Sequence, residues 1–360
     1  MINSTFLSIC ILTFNRAEKL NKLLINIKEQ IEDSDNKNKI EILIADNCST
    51  DNTGDIVNNN RIYFNDIKFK YYKHSTNIGF DKNTDFLYRN ACGKYIWFMG
   101  DNVIFEDDAI SKVYNLLSEY EPSGMRFSFI QGDSFTPEKP TFNINKPVEL
   151  FTNYEQVIRT IIKWPKISTY IIEKQFLNKQ DDLILNNYLD TGYYFVTLML
   201  YIFLKSEKHS LLVHRKSLAG AYEDCFNLRY SPRVFYNLKT ATSLPDITKN
   251  YSHIINDLPA NGDAGVLYHL VQDKLGLGKL RLDKSVKEEE YKWAYSNLKK
   301  LLIKKNTSVL TILLILLNSP LKWILSSAIF HKLYHVVRII LSSFKNCFRK
   351  GYKKLRGKMS

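Results

Sequence analysis

Phe6-Leu7-Ser8-Ile9-Cys10-Ile11-Leu12-Thr13, running directly into Phe14-Asn15-Arg16, is the stretch that decides the fold. A near-continuous apolar run of this length reads as a strand buried on both faces, and the polar residues that stop it mark the strand's end. Ile40–Ala45 repeats the pattern before Asp46-Asn47-Cys48-Ser49-Thr50-Asp51, and Tyr95–Met99 repeats it before Gly100-Asp101-Asn102. Asn77-Ile78-Gly79-Phe80-Asp81 marks the end of a fourth strand. Between them, Leu20, Leu23, Leu24 and Ile27, and later Phe86, Leu87 and Asn90, recur at helical spacing. Strand alternating with helix implies a parallel sheet, whose strands end along one ligand-binding crevice. The Asp46–Thr53 stretch also suits a capped loop leading into a helix at Gly54-Asp55-Ile56-Val57.

Taken in order, Leu7–Arg16, the Asp46–Thr53 loop, Asn77-Ile78-Gly79 and the strand ending at Gly100-Asp101 resemble family 2 glycosyltransferases. Within that family they are most similar to the abequosyltransferase-like branch of bacterial O-antigen and surface-polysaccharide enzymes. The motifs cover about the first third of the chain and thin out beyond Ser118. The resemblance implies an α/β GT-A fold, a Rossmann-like, mostly parallel sheet flanked by helices. It implies a nucleotide-sugar-binding half at 1–118 and an acceptor-binding and remaining catalytic region at 119–290. The activity implied is transfer of a hexosyl or deoxyhexosyl group (EC 2.4) from a nucleoside-diphosphate sugar, with inversion, to a lipid-linked or surface glycan.

Carried over residue by residue, the resemblance sets Thr13 and Asn15 against the nucleotide. Asp46 would accept a hydrogen bond from the nucleobase. Lys82 would meet the diphosphate, or is a solvated helix residue. Relatives read Gly-Asp-Asp-Asp or Gly-Ser-Asp-Asp where this chain has Gly100-Asp101-Asn102-Val103. Asp101 and Asn102 would then be the ligands of Mg2+ or Mn2+, with affinity weakened because Asn102 is neutral and Val103 offers no donor. Four alternatives stand: Asp101 serves alone, Glu106, Asp107 or Asp108 folds back to help, cationic side chains stabilise the leaving group instead, or catalysis has been lost. Glu106, Asp107 and Asp108 also suit the first turn of a helix. The base that takes the acceptor proton is placed at Asp190 by analogy of spacing, with Glu223 and Asp224 as the competing pair. Asp190 also fits as a helix cap. A noncatalytic nucleotide- or glycan-binding subunit is the competing functional reading.

Other chemistries find no support. The five Cys show no paired metal-ligand spacing, the seven His form no His-Glu-x-x-His arrangement, and glycine fingerprints for phosphate loops or dinucleotides are missing. Unpatterned Cys and a strand-like Met1–Thr13 without a basic leader are expected of a cytoplasmic protein.

Charge divides the chain. It carries 50 Lys and Arg against 37 Asp and Glu, yet residues 291–360 hold 15 of the basic residues and no acidic one. Apolar stretches at Val309–Leu317 and Leu321–Leu341 accompany them. Only 16 uncharged residues separate Lys305 from Lys322, short of the roughly 20 needed to span a bilayer. A basic, amphipathic region at 291–360 lying on the anionic surface of the inner membrane's cytoplasmic face is the expectation. Packing on the catalytic domain and a solvated tail are the alternatives, and no nucleic-acid-binding module is recognisable. Tyr193, Tyr194, Tyr222, Tyr230 and Trp164 are candidates to stack on sugar rings.

Overall fold

The computed structural model describes residues 5–256 apart from 33, 132–146, 164, 222–237 and 239. The three apolar runs form β1 (Leu7–Thr13), β2 (Ile40–Asp46) and β4 (Tyr95–Gly100). Every residue of β1 and β2 is buried. Leu7, Ile9 and Ile11 face one core cluster, whereas Cys10 and Leu12 face the other, so neither strand shows a polar side in its sequence. β3 (Lys68–Lys73) is the edge strand, and its lysines guard the open edge.

Crossovers are helical. α1 (Ala17–Ile31) buries Leu20, Leu23, Leu24, Ile27 and Ile31. α2 (Thr53–Asn60) and α3 (Phe80–Asn90) make the next two connections. They set β3-β2-β1-β4 in parallel register.

Beyond β4 the sheet changes character. β8 (Tyr170–Glu173) runs antiparallel to β4, and β6 (Gly124–Gln131) antiparallel to β8 but parallel to β9 (Leu211–Ala221). β5 (Val103–Phe105) and β7 (Val148–Phe151) both pair antiparallel with β9. The sheet is therefore mixed, which corrects the expectation of a mostly parallel one. Parallel neighbours need a long crossover, and each step from β1 to β4 has one; β5 follows β4 after a two-residue turn and pairs with β9 instead. The order β3-β2-β1-β4-β8-β6-β9-β5 also shows that the sheet curls and runs through both the 1–118 and 119–290 regions. Trp97 packs edge-on against Phe105 and Phe127, at 5.1 and 5.5 Å.

The other helices are α4 (Ala109–Tyr120), α5 (Tyr154–Lys163), α6 (Lys179–Leu185), α7 (Tyr194–Lys205) and α8 (Pro245–Asn256), the last irregular at Tyr251. Among the described residues, no helix is long and apolar enough to cross a membrane. Glu223, Asp224, Tyr222, Tyr230, Trp164 and the basic region at 291–360 lie outside the described residues.

Candidate functional site

Strand register assembles the site. Thr13 stands opposite Asp46, and Leu12 opposite Gly100, so the ends of β1, β2 and β4 lie side by side. Asn15 has a left-handed φ of 51°, which asparagine tolerates better than most residues. Its amide donates to Ser49 Oγ (2.8 Å), and its Oδ1 accepts from the Thr50 amide (2.7 Å) and hydroxyl (3.3 Å). Asp51 accepts from the Ala17 amide (3.0 Å) and from the Thr53 hydroxyl and amide (2.5 and 3.1 Å), closing the first turns of α1 and α2 together. Burial pushes the Asp51 carboxyl up, but these donors outweigh it and hold the group below the usual carboxylate range.

Asp46 is fully buried. Its Oδ1 accepts from the Ser49 amide (2.7 Å) and its Oδ2 from the Tyr71 hydroxyl (2.6 Å). The expected contact with a nucleobase needs an exposed carboxylate oxygen, whereas here both oxygens face inward and shape the loop. The crevice-side contacts of this loop come from Asn47, whose amide donates to the Thr13 carbonyl (2.9 Å). The Asn47 side chain donates to Asn77 Oδ1 and accepts from the Ile78 amide, each at 2.8 Å. Asn77 Oδ1 also accepts from the Gly79 amide (3.0 Å). Gly79, with φ 84° and ψ 165°, occupies backbone space that is essentially reserved for glycine.

One residue into α3, Asp81 reaches across to a distant turn. It is 3% exposed. Its Oδ2 accepts from the Gly192 amide (2.7 Å) and the Thr191 hydroxyl (3.3 Å), and its Oδ1 from the Tyr194 amide (3.2 Å). Burial pushes the carboxyl up, against the pull of these donors. The turn so held has left-handed φ values of 73° at both Asp190 and Gly192. Asp190 projects with 75% of its side chain exposed, and its Oδ1 lies 3.9 Å from Lys82 Nζ. Tyr193, not Asp190, occupies the N-cap of α7. The two residues suggested for diphosphate and proton thus meet on one rim.

Asp101 is 2% exposed. Its Oδ2 accepts from the Thr13 hydroxyl (2.9 Å) and its Oδ1 from Arg16 Nη1 (3.2 Å). Burial pushes the carboxyl up; Arg16, the Thr13 hydroxyl and Lys19 pull against it without overcoming it. Asn102 is buried beside it, and Val103 is buried within β5. The three residues of β5 separate Glu106, Asp107 and Asp108 from the turn by about 10 Å at strand rise. Asp108, at φ 58°, occupies the N-cap of α4 without a side-chain cap bond. Among the described residues, no group of three or more His, Cys, Asp or Glu side chains is placed to hold a metal ion.

The structure brings together Thr13, Asn15 and Asp101, and separately Lys82 and Asp190. Tyr194 does not face a sugar: it is buried and its hydroxyl donates to Asp85 (2.6 Å). Tyr193 packs on Phe195, and burial pushes its phenol up to about 12. Phe14 (43%) and Phe80 (41%), each within one of the quoted motifs, are exposed instead. Arg16, Asn47, Asn77 and Asp81 were in the quoted motifs without a role, because each acts through a partner remote in sequence.

Residues 8–180 match the family described as glycosyl transferase family 2. Over 108 residues the chain is 37% identical to abequosyltransferase RfbV of Salmonella typhimurium. That stretch is 29% of this chain and 29% of the relative, so the chain spans less than a third of that protein's length. The structure is similar to that of S. aureus TarS, with a TM-score of 0.52 and 14% identity, over 82% of this chain and 54% of that one. For the TarS 1-349 structure the values are 0.50 and 15%, over 82% and 92%. At these identities the likeness shows the fold alone, an α/β GT-A-like fold.

Proposed function

We propose, from the match of residues 8–180 to glycosyl transferase family 2, that the protein is a glycosyltransferase using a nucleoside-diphosphate sugar. The observation that carries the reading is the meeting of the Thr13 hydroxyl with Asp101, next to the Asn15 loop, at the carboxyl ends of β1, β2 and β4, where α/β folds bind ligands. The donor nucleotide lies along the Thr13–Arg16 and Ser49–Thr50 loops, with Asp46 acting indirectly by holding Ser49. Asp190, exposed and beside Lys82, takes the proton of the acceptor hydroxyl as that oxygen bonds to the anomeric carbon. The bond to the diphosphate oxygen breaks on the opposite face, its electron pair leaves with the nucleoside diphosphate, and configuration inverts.

The acceptor is a lipid-linked or surface glycan. Support comes from the basic, apolar composition of 291–360, which suits a peripheral position on an anionic cytoplasmic membrane face. The test is release of nucleoside diphosphate from a panel of UDP-, GDP-, CDP- and dTDP-sugars by the full chain and by Asp190→Asn. Donor binding should survive the substitution, while turnover falls by about 10²-fold or more. Full turnover in that variant would move the base elsewhere. Nucleotide binding without turnover in the unsubstituted protein would favour the noncatalytic subunit.

A further inference from the structure

A divalent cation, which the resemblance implies beside Asp101, does not fit the donor set found there. Both oxygens of this buried carboxylate already accept hydrogen bonds, and one donor is a guanidinium 3.2 Å away. A dication on the same carboxylate would sit beside that positive charge and be repelled by it. Asn102 adds no negative charge and Val103 no donor atom, while hard cations draw their affinity from several oxygen ligands, carboxylates foremost.

We propose that Arg16, rather than a metal ion, is the cation that meets the donor's diphosphate, and that nucleotide binding here is independent of divalent ions. The inference deepens the transferase reading above and rests on it. Arg16 leads α1 from the end of β1, and 44% of its side chain is exposed although Nη1 donates to Asp101. A guanidinium carries five N–H donors in a planar fork, so the group can hold Asp101 on one side and phosphate oxygens on the other. Asp101 then serves as the orienting partner of Arg16. As the acceptor oxygen bonds to the anomeric carbon, the bond from that carbon to the β-phosphate oxygen breaks and its electrons remain on that oxygen. Arg16 offsets the charge developing there, and the acceptor proton passes to Asp190.

The experiment titrates the full chain calorimetrically with UDP, GDP, CDP and dTDP, in excess EDTA and in excess MnCl2. The expected result is one or more binders whose affinity agrees to within about twofold between the two media. Arg16→Ala should weaken that binding about tenfold or more in both media, with Arg16→Lys between. Adding Asp101→Asn to Arg16→Ala separates direct contact from mere neutralisation: the double variant should stay weak. Affinity lost in EDTA and restored by manganese would overturn the inference while leaving the transferase reading intact. So would recovery in the double variant, or an Arg16→Ala protein that binds as well as the parent. No binding of any nucleotide in either medium would overturn the transferase reading, and this inference with it.

Discussion

Replacing Asp81 by Asn isolates what holds the Asp190 turn in place. The carboxylate uses different oxygens for its two backbone donors, Oδ2 for Gly192 and Oδ1 for Tyr194. An amide has only one acceptor oxygen, so its NH2 must face one of those N–H groups. At least one bond to a charged acceptor is lost, a change of about 1.5–3 kcal/mol, and two donors are brought together. Part of this is recovered, since burial already disfavours the charged form of Asp81 and the amide carries no charge to desolvate. A net cost of about 2 kcal/mol results, equivalent to about thirtyfold in the opening equilibrium of the turn. Hydrogen exchange followed by mass spectrometry reads this directly. Peptides covering Tyr188–Val196 should exchange up to about thirtyfold faster in the variant, while those covering β1 are unchanged. Equal protection across Gly192–Tyr194 in both proteins would refute the idea that Asp81 pins this turn.

Gly79→Ala should destabilise the protein by about 1–3 kcal/mol, because a Cβ there meets no neighbour and the strain comes wholly from φ +84°. Gly54→Ala, at the start of α2 and with only the Tyr71 hydroxyl at 3.6 Å, should be neutral or stabilising; equal melting shifts for the pair would contradict the argument. Asp51 is held below its ordinary value near 3.8, so its stabilisation is present above that pH and is lost as pH falls through the folded-state value. The stability gap between the parent and Asp51→Asn should therefore be flat near neutrality and narrow on acidification below about pH 4, a trend that urea titrations at several pH values would expose or reject. Deleting residues 307–360 should release the protein from phosphatidylserine vesicles in a sedimentation assay, and undiminished binding would remove the anchoring proposal.

The parallel half of the fold was legible because burial on both faces leaves nearly continuous apolar runs between polar stops, as in Leu7–Thr13 and Ile40–Asp46, where the inner exceptions, Ser8 and Glu41, bond to each other. β3 was signalled only by the Asn77–Asp81 cluster that follows it, since this edge strand, Lys-Phe-Lys-Tyr-Tyr-Lys, has no fully buried residue and no apolar run. Two strands of the antiparallel half, β5 and β8, were not legible. β5 has three residues and β8 four, too few to show a period, and their places depend on partners distant in sequence. The same distance limits the reading of the site. Thr13 and Asp101 end neighbouring strands, so their meeting follows from the sheet itself. Asp46 turns inward because Tyr71 stands on the next strand, and Asp81 finds Gly192 111 residues away; neither relation leaves a local trace.

The two-residue link between Gly100 and Val103 joins strands that stand at opposite ends of the run β4-β8-β6-β9-β5. Five strands thus form a ring, and its covalent clasp is the turn that carries Asp101. Chain length at the clasp has no slack, because one inserted residue would either turn the side chains of β5 to the wrong face or slip its pairing with β9. Variation at this position is accordingly confined to side-chain chemistry at constant length.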